Sequence, residues 1–213
     1  MSTPATATRS YPMSEARLIL ASKSKARLAM LTAAGVPVEA IAANVDEETL
    51  KEGLKSEGIT ARNLADALAE AKAVRLSRRI GSGLVLGADQ MLALDDGTML
   101  DKPTDPAMAI AQLKLLSGRK HKLFSAAVIA EQGLPVWRHV DIATLSVRPL
   151  SGSFIEQYVD SEWDNIRHCV GCYAIEGRGV QLFSAITGSQ FTIMGLPLLH
   201  LLDYLRIRSI LPS

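Results

Sequence analysis

The sequence is short of several things, and each shortage closes off a class of function. No apolar run approaches the roughly 20 residues that span a bilayer, so no membrane partner is expected. Charge of one sign is not in excess. The 23 Lys and Arg and 22 Asp and Glu leave a formal charge of +1, too weak a field to point to nucleic acid or an anionic surface. Cysteine is scarce, with only Cys169 and Cys172. They form a Cys-x-x-Cys, but a redox pair should open a helix, whereas Gly171 lies inside it and Tyr173 to Gly177 reads as strand and turn. Zinc would need a second pair or spaced histidines, and His121, His139, His168 and His200 show no ligand spacing. Reduced, buried thiols in a cytoplasmic protein are the expectation. The start lacks an apolar h-region, so it is not read as a secretory signal. Residues 1–16 read as a disordered extension, with Met13 as an alternative start, ahead of a single domain over 17–213.

The remaining composition, 48% hydrophobic and 21% charged over 213 residues, is that of a soluble globular domain or two small lobes sharing a cleft. Leu18 to Ala21 suits a first buried strand. Ser22-Lys23-Ser24 then turns the chain into a helix capped by Ser24 and ended by Gly35. That turn carries hydroxyls, free N–H groups and Lys23, Lys25 and Arg27, which makes a ready anion site. Val36 to Val45 predicts a second strand ending in a solvated acidic loop, Asp46-Glu47-Glu48. Thr60 caps a helix to about Leu76, with Lys72 beside its apolar face. After a helix opened by Thr104-Asp105-Pro106 come a strand at Leu123 to Ala130 and an alternating strand from Val136 to Ser146. Ser151 caps another helix. Tyr173 to Ile175 and Val180 to Ile186 predict a hairpin, and a last helix turns Leu198, Leu199, Leu201, Leu202 and Leu205 inward. Early alternation of strands and helices followed by hairpins implies an α/β chain with a mixed sheet.

The most informative stretch runs from Leu84 to Pro103. An apolar run ends on Asp89, expected at the carboxyl end of a buried strand, where open α/β sheets bind ligands. Gly87 thins the backbone ahead of the acid. A hairpin through Asp95-Asp96-Gly97 returns the chain to Lys102-Pro103. A carboxylate and a lysine so arranged suit a metal and a phosphate.

These pieces together resemble the Maf family of septum-formation-related nucleoside triphosphate pyrophosphatases. The resemblance rests on Leu-Ala-Ser-x-Ser-x-x-Arg at Leu20 to Arg27, Asp46-Glu47, Ala71-Lys72-Ala73, Gly87-Ala88-Asp89 and Lys102-Pro103. It continues with Leu116-Ser117-Gly118 and His121, Gly171-x-Tyr173, and Gly195-Leu196-Pro197. It implies an ITPase-like fold, a curved mixed sheet in two lobes around a central nucleotide cleft. It also implies hydrolysis of a nucleoside triphosphate between the α- and β-phosphates. On that basis Asp89 is the catalytic carboxylate, with Glu47, Lys72 and Lys102 as catalytic partners. Ser22, Ser24 and Arg27 hold phosphates, and Asp89 and Glu47 hold Mg²⁺ or Mn²⁺.

Three positions that vary with the base in this family are Ala26, Gln90 and Glu176 here. Gln90 and Glu176 match the 7-methyl-GTP branch rather than the UTP and dTTP branch, while Ala26 matches neither and removes a stacking surface. Lys25 and Asp101 also depart from the pattern. Asp101 could pair with Lys102 or disturb a tight turn. The alternatives are a UTP- or dTTP-preferring enzyme, or a nucleotide-binding regulator of cell division with little turnover. Apolar surface on the last helix or the alternating strand could support a homodimer.

Overall fold

A computed structural model describes residues 17–213; the extension expected over 1–16 lies outside the described residues. Its spine is the strand β3, Leu84–Leu94, which is buried along nearly all its length. On one side β3 pairs with β5, Lys120–Glu131, in an antiparallel ladder from Val85↔Ala130 to Leu94↔His121. β5 pairs in turn with β6, Leu134–Val147, and β6 with β7, Phe183–Thr187. On its other side β3 lies parallel to β1, Leu18–Leu20, which is itself parallel to β2, Val38–Ala40. The short β4, Met99–Leu100, returns antiparallel to the far end of β3 after a turn in which Gly97 has φ 87°. The result is the mixed sheet that the sequence implied, in the order β2-β1-β3-β5-β6-β7.

The partners of β3 on that second side are not continuous. β1 covers it as far as Leu86, and β4 begins at Leu92. The edge at Gly87 to Met91 is left without a strand, and Asp89 and Gln90 lie in the middle of this gap.

Helices cover both faces. α1 is Lys25–Ala33, α2 Glu47–Ser56 and α3 Ala61–Ile80. α4 is Pro106–Leu116, α5 Gly152–Ile166, α6 Gln190–Ile193 and α7 Leu198–Ile207. α3 packs Leu64, Leu68, Ala69 and Ala73 against Met91, Ala93, Ala126 and Val128. On the opposite face the core is in two parts. Leu86 and Ala88 sit with residues of α1 and α7, whereas Leu92 and Leu94 sit with α4 and α5. The split falls at Gln90.

Several local expectations are corrected. Asp89 does not end its strand, because the ladder to β5 continues for five more residues. Only Val38–Ala40 of the second predicted strand is regular, and Asp46 accepts from the Thr49 N–H to cap α2, so Glu47 begins a helix rather than a loop. Asp105, not Thr104, caps α4. The predicted hairpin at Tyr173 to Ile186 is absent: Tyr173 to Ile175 is irregular, and Arg178–Leu182 forms a 3₁₀ turn leading into β7. Leu199 of α7 faces outward, 58% exposed.

Two core positions carry particular weight. A Cβ on Gly87 would lie 2.0 Å from the Ala69 carbonyl oxygen and 2.7 Å from the Ala73 amide nitrogen, both backbone atoms of α3. The missing side chain is what lets the helix lie on the strand. Gly87→Ala should therefore destabilise the fold by about 3 kcal/mol, at the upper end of overpacking costs. An unchanged urea midpoint would remove this account of the α3 contact.

His121 is fully buried between Tyr173 and Phe183, with Nε2 2.8 Å from the Tyr173 hydroxyl and Nδ1 without a partner. Burial pushes its pKa from 6.5 down to about 4. The unfolded chain thus takes up a proton there below about pH 6.5 that the folded chain refuses until about pH 4. The stability this group contributes is present above pH 6.5 and lost as pH falls toward 4, about 2 kcal/mol of it between pH 7.5 and 5. Urea titrations at those two pH values should show that part of the loss vanish in His121→Phe; an unaltered difference would mean that His121 does not carry it.

Candidate active site

The gap in β3's edge opens into a cleft of about 1110 Å³, lined from Ser22 to Arg27 on the first turn, by Glu47, Lys72, Asp89, Gln90 and Lys102, and by residues from Glu162 to Gly177 on the far wall. All the residues that the sequence singled out for chemistry reach it.

Lys72 is at its centre. Its ammonium lies 2.6 Å from Asp89 Oδ1 and 2.8 Å from Glu47 Oε2. Lys72 and Asp89 are buried, and the Glu47 side chain is half exposed. Lysines beside an apolar helix face usually reach out to water. Here the close approach of α3 over Gly87 turns Lys72 onto the strand residue two places on. A buried cation without partners would cost far more than it returned, and two carboxylates offset that cost. Each carboxylate spends one oxygen on Lys72, and the second oxygen of each has no ion-pair partner among the described residues.

Arg27, also buried, reaches across the gap from α1. Its Nε donates to the Gly195 carbonyl at 2.8 Å and its Nη1 to the Ala88 carbonyl at 2.9 Å, the latter on the uncovered edge of β3. Gly195, at φ 99°, brings its backbone against the guanidinium, and a Cβ there would lie 3.2 Å from Nε and Nη2. Desolvation lowers the pKa of Arg27, opposed by the charges of Asp89 and Glu47. Two of its nitrogens are thus engaged by backbone, and Nη2 is left for a ligand. Ser22 Oγ accepts from the Ser24 N–H, and Ser24 Oγ accepts from the Arg27 N–H. Both hydroxyls keep their hydrogens to donate to an anion at the start of α1.

Lys102 makes no ion pair among the described residues. The protein around it, and then the charge of Arg27, lower its pKa. Asp101 neither pairs with Lys102 nor breaks the turn. It is bonded to Lys51 and Lys55 of α2 instead.

Gln90 faces the other side of the strand. Its Nε2 lies 2.9 Å from the Thr192 carbonyl, 3.0 Å from that of Ile193 and 2.9 Å from Ser125 Oγ. Carbonyl oxygens cannot donate, so the atom against them is the NH₂ group, and Oε1 remains an acceptor. Glu176 is exposed on the far wall and Ala26 lies on the near one. Cys169 and Cys172 are free thiols, and burial raises the pKa of each. The Cys172 thiol donates to Gln112 Oε1 at 3.1 Å. A readily ionised redox pair is not built here.

Sequence reasoning missed Lys51, Lys55, Gln112, Ser125 and Thr192. The first two carried a signal, since Glu47, Lys51 and Lys55 follow one another at four-residue spacing. The others are tertiary ties with no local mark.

The nucleoside triphosphate pyrophosphatase of Sphingopyxis alaskensis is 54% identical over 196 residues, 92% of this chain and 99% of its own. That of Caulobacter vibrioides is 48% identical over 199 residues, 93% of this chain and 99% of its own. A solved nucleoside-triphosphatase / dITP/XTP pyrophosphatase from Mycobacterium abscessus, 17% identical, covers 90% of this chain and 97% of its own at a TM-score of 0.42. That likeness is too distant to bear on the fold, which rests on the sheet described above. Residues 17–208 match the family described as Maf-like protein, and the chain belongs to that family.

Proposed function

We propose that the protein is a nucleoside triphosphate pyrophosphatase that hydrolyses the bond between the α- and β-phosphates, releasing a nucleoside monophosphate and diphosphate. The observation that carries this reading is Lys72, buried between Asp89 and Glu47 in a cleft whose other buried charge is Arg27. Buried charge clustered in a cleft is commonly functional. The names of the relatives at 54% and 48% identity support the same activity.

A triphosphate brings about four negative charges, and cleavage moves more charge onto the leaving diphosphate, so positioned cations gain most in the transition state. Ser22, Ser24 and the N–H groups at the start of α1 would hold phosphate oxygens, with Arg27 and Lys102 beside them. Asp89, on a paired and therefore rigid strand, would orient the attacking water and accept its proton. Lys72 keeps that carboxylate in place.

Asp89 and Glu47 would also hold a divalent cation. The fit is good for Mg²⁺ or Mn²⁺, which bind through few protein oxygens plus substrate phosphate: each carboxylate has an oxygen to spare, and no third acidic, histidine or cysteine ligand joins them among the described residues. When bound, such an ion would neutralise phosphate charge and polarise the reacting phosphoryl group.

For the base, the cleft offers acceptors. Gln90 presents Oε1 because its amide hydrogens are taken, and Glu176 adds a carboxylate. Guanine's adjacent N–H and NH₂ suit this pair, whereas uracil and thymine have no such pair of donors. We therefore favour guanine nucleotides, 7-methyl-GTP among them, with Ala26 providing no ring to stack on the base.

Asp89→Asn should lower turnover at least about a hundredfold, the size of a general-base contribution, and should also lower thermal stability, because Lys72 keeps only the half-exposed Glu47 as its charged partner. Phosphate released in the presence of added inorganic pyrophosphatase and Mg²⁺ or Mn²⁺ reads this directly. Near-normal turnover would take Asp89 out of the role. In the same assay kcat/KM should be higher for GTP and 7-methyl-GTP than for UTP and dTTP, and Glu176→Gln should narrow the gap by about tenfold, one charge-assisted hydrogen bond. A preference for UTP or dTTP would overturn the base assignment. No turnover on any of the four would favour a nucleotide-binding regulator.

A further inference from the structure

Asp101 joins two parts of the site that stand on neither the sheet nor α3. Its carboxylate accepts from Lys51 at 2.5 Å and Lys55 at 2.8 Å, both on α2. Its carbonyl accepts from Gln112 Nε2 of α4 at 2.9 Å, which fixes the backbone immediately before Lys102. Burial would push the Asp101 carboxyl up, but hydrogen bonds from the two lysines outweigh it and hold the pKa below the usual carboxylate value.

α2 needs such ties. It has no buried residue and rests on the α3 layer through the partly buried Leu50 and Leu54. A helix with so little apolar anchorage belongs to the weakly held part of a fold. Glu47, Lys51 and Lys55 recur at four-residue spacing and share a face. The face that offers Glu47 to Lys72 is therefore the face that Asp101 grips.

We propose that Asp101 is a positioning residue that clamps α2 onto the loop bearing Lys102 and so seats Glu47 on Lys72. Its catalytic consequence rests on the pyrophosphatase reading, whereas the clamp itself does not. The clamp also accounts for an acid next to the catalytic lysine: it holds a neighbouring element rather than neutralising Lys102.

Hydrogen exchange over residues 47–56, in wild type, Asp101→Asn and Asp101→Glu, tests the clamp without reference to activity. Asp101→Asn should speed exchange in α2 about fivefold, the effect of losing two partly exposed ion pairs, with α3 and β3 unchanged. Asp101→Glu should restore most of the protection. Steady-state kinetics should show kcat reduced about three- to fivefold with KM little changed, and no further loss when Asp101→Asn is added to Glu47→Gln. Unaltered exchange in α2 would overturn the proposal. So would an Asp101→Asn loss that persists undiminished in the Glu47→Gln background, which would place its action on Lys102. A wild-type enzyme without turnover would refute the pyrophosphatase reading, and the exchange experiment would still decide the clamp.

Discussion

One ammonium group held between two carboxylates sets the terms for the rest of the structure. Lys72 comes from the middle of a 20-residue helix, Asp89 from the middle of an 11-residue strand, and Glu47 from the first turn of a separate helix. Bringing the first two together requires α3 to lie closer to β3 than a side chain at residue 87 would allow, because a Cβ there would collide with the backbone at Ala69 and Ala73. Gly87 is thus a packing residue on which the Lys72–Asp89 pair depends. The small residues Ala65, Ala69 and Ala73, spaced four apart on the helix, serve the same approach.

The cleft follows from a discontinuity in pairing rather than from a separate domain. β1 leaves the edge of β3 at Leu86 to turn into α1, and β4 does not arrive until Leu92. The intervening backbone is not left bare, since buried carbonyls without partners are costly. Arg27 caps the Ala88 carbonyl from α1, and the guanidinium that satisfies the fold is thereby placed where a phosphate could meet its remaining nitrogen. The first turn and the acid pair are brought together by the same gap.

Much of this was legible in the chain. Helix caps at Ser24, Thr60 and Ser151 and the turn at Gly97 are local chemistry, and the structure has them. The ordered set of short motifs indicated the family and the residues that line the cleft. What was illegible depended on partners remote in sequence. Asp89 looked like the end of a strand because a charge interrupts the apolar run, yet the ladder to β5 carries the strand through, with Lys72 offsetting the buried charge. Tyr173 to Ile175 has the side chains of a strand, but it pairs with none among the described residues. Tyr173 instead packs its ring on His121 and Phe183, and that tertiary contact overrides the local propensity. Asp46 and Glu47 suggest a solvated loop, as charge runs usually do, although the carboxylate that caps a helix and the one that meets Lys72 are adjacent.

Asp89 and Gln90 are neighbours on a strand and so project to opposite faces. In an uninterrupted sheet they would address separate compartments. Here the strand edge between them is open, and both line the same cleft. The acid side is fixed by α3 and by ion pairing, while the amide side is fixed by carbonyls of α6, at Thr192 and Ile193. These two supports share no side chain. Changes at Gln90 and Glu176 can therefore be made without disturbing the charge cluster at Asp89. The Arg27 side is different. Arg27 ties α1, the β3 edge and the Gly195 turn together, and that turn follows directly on α6. A change at Arg27 would reach both halves of the cleft at once, so the guanidinium constrains this site more tightly than Gln90 or Glu176 does.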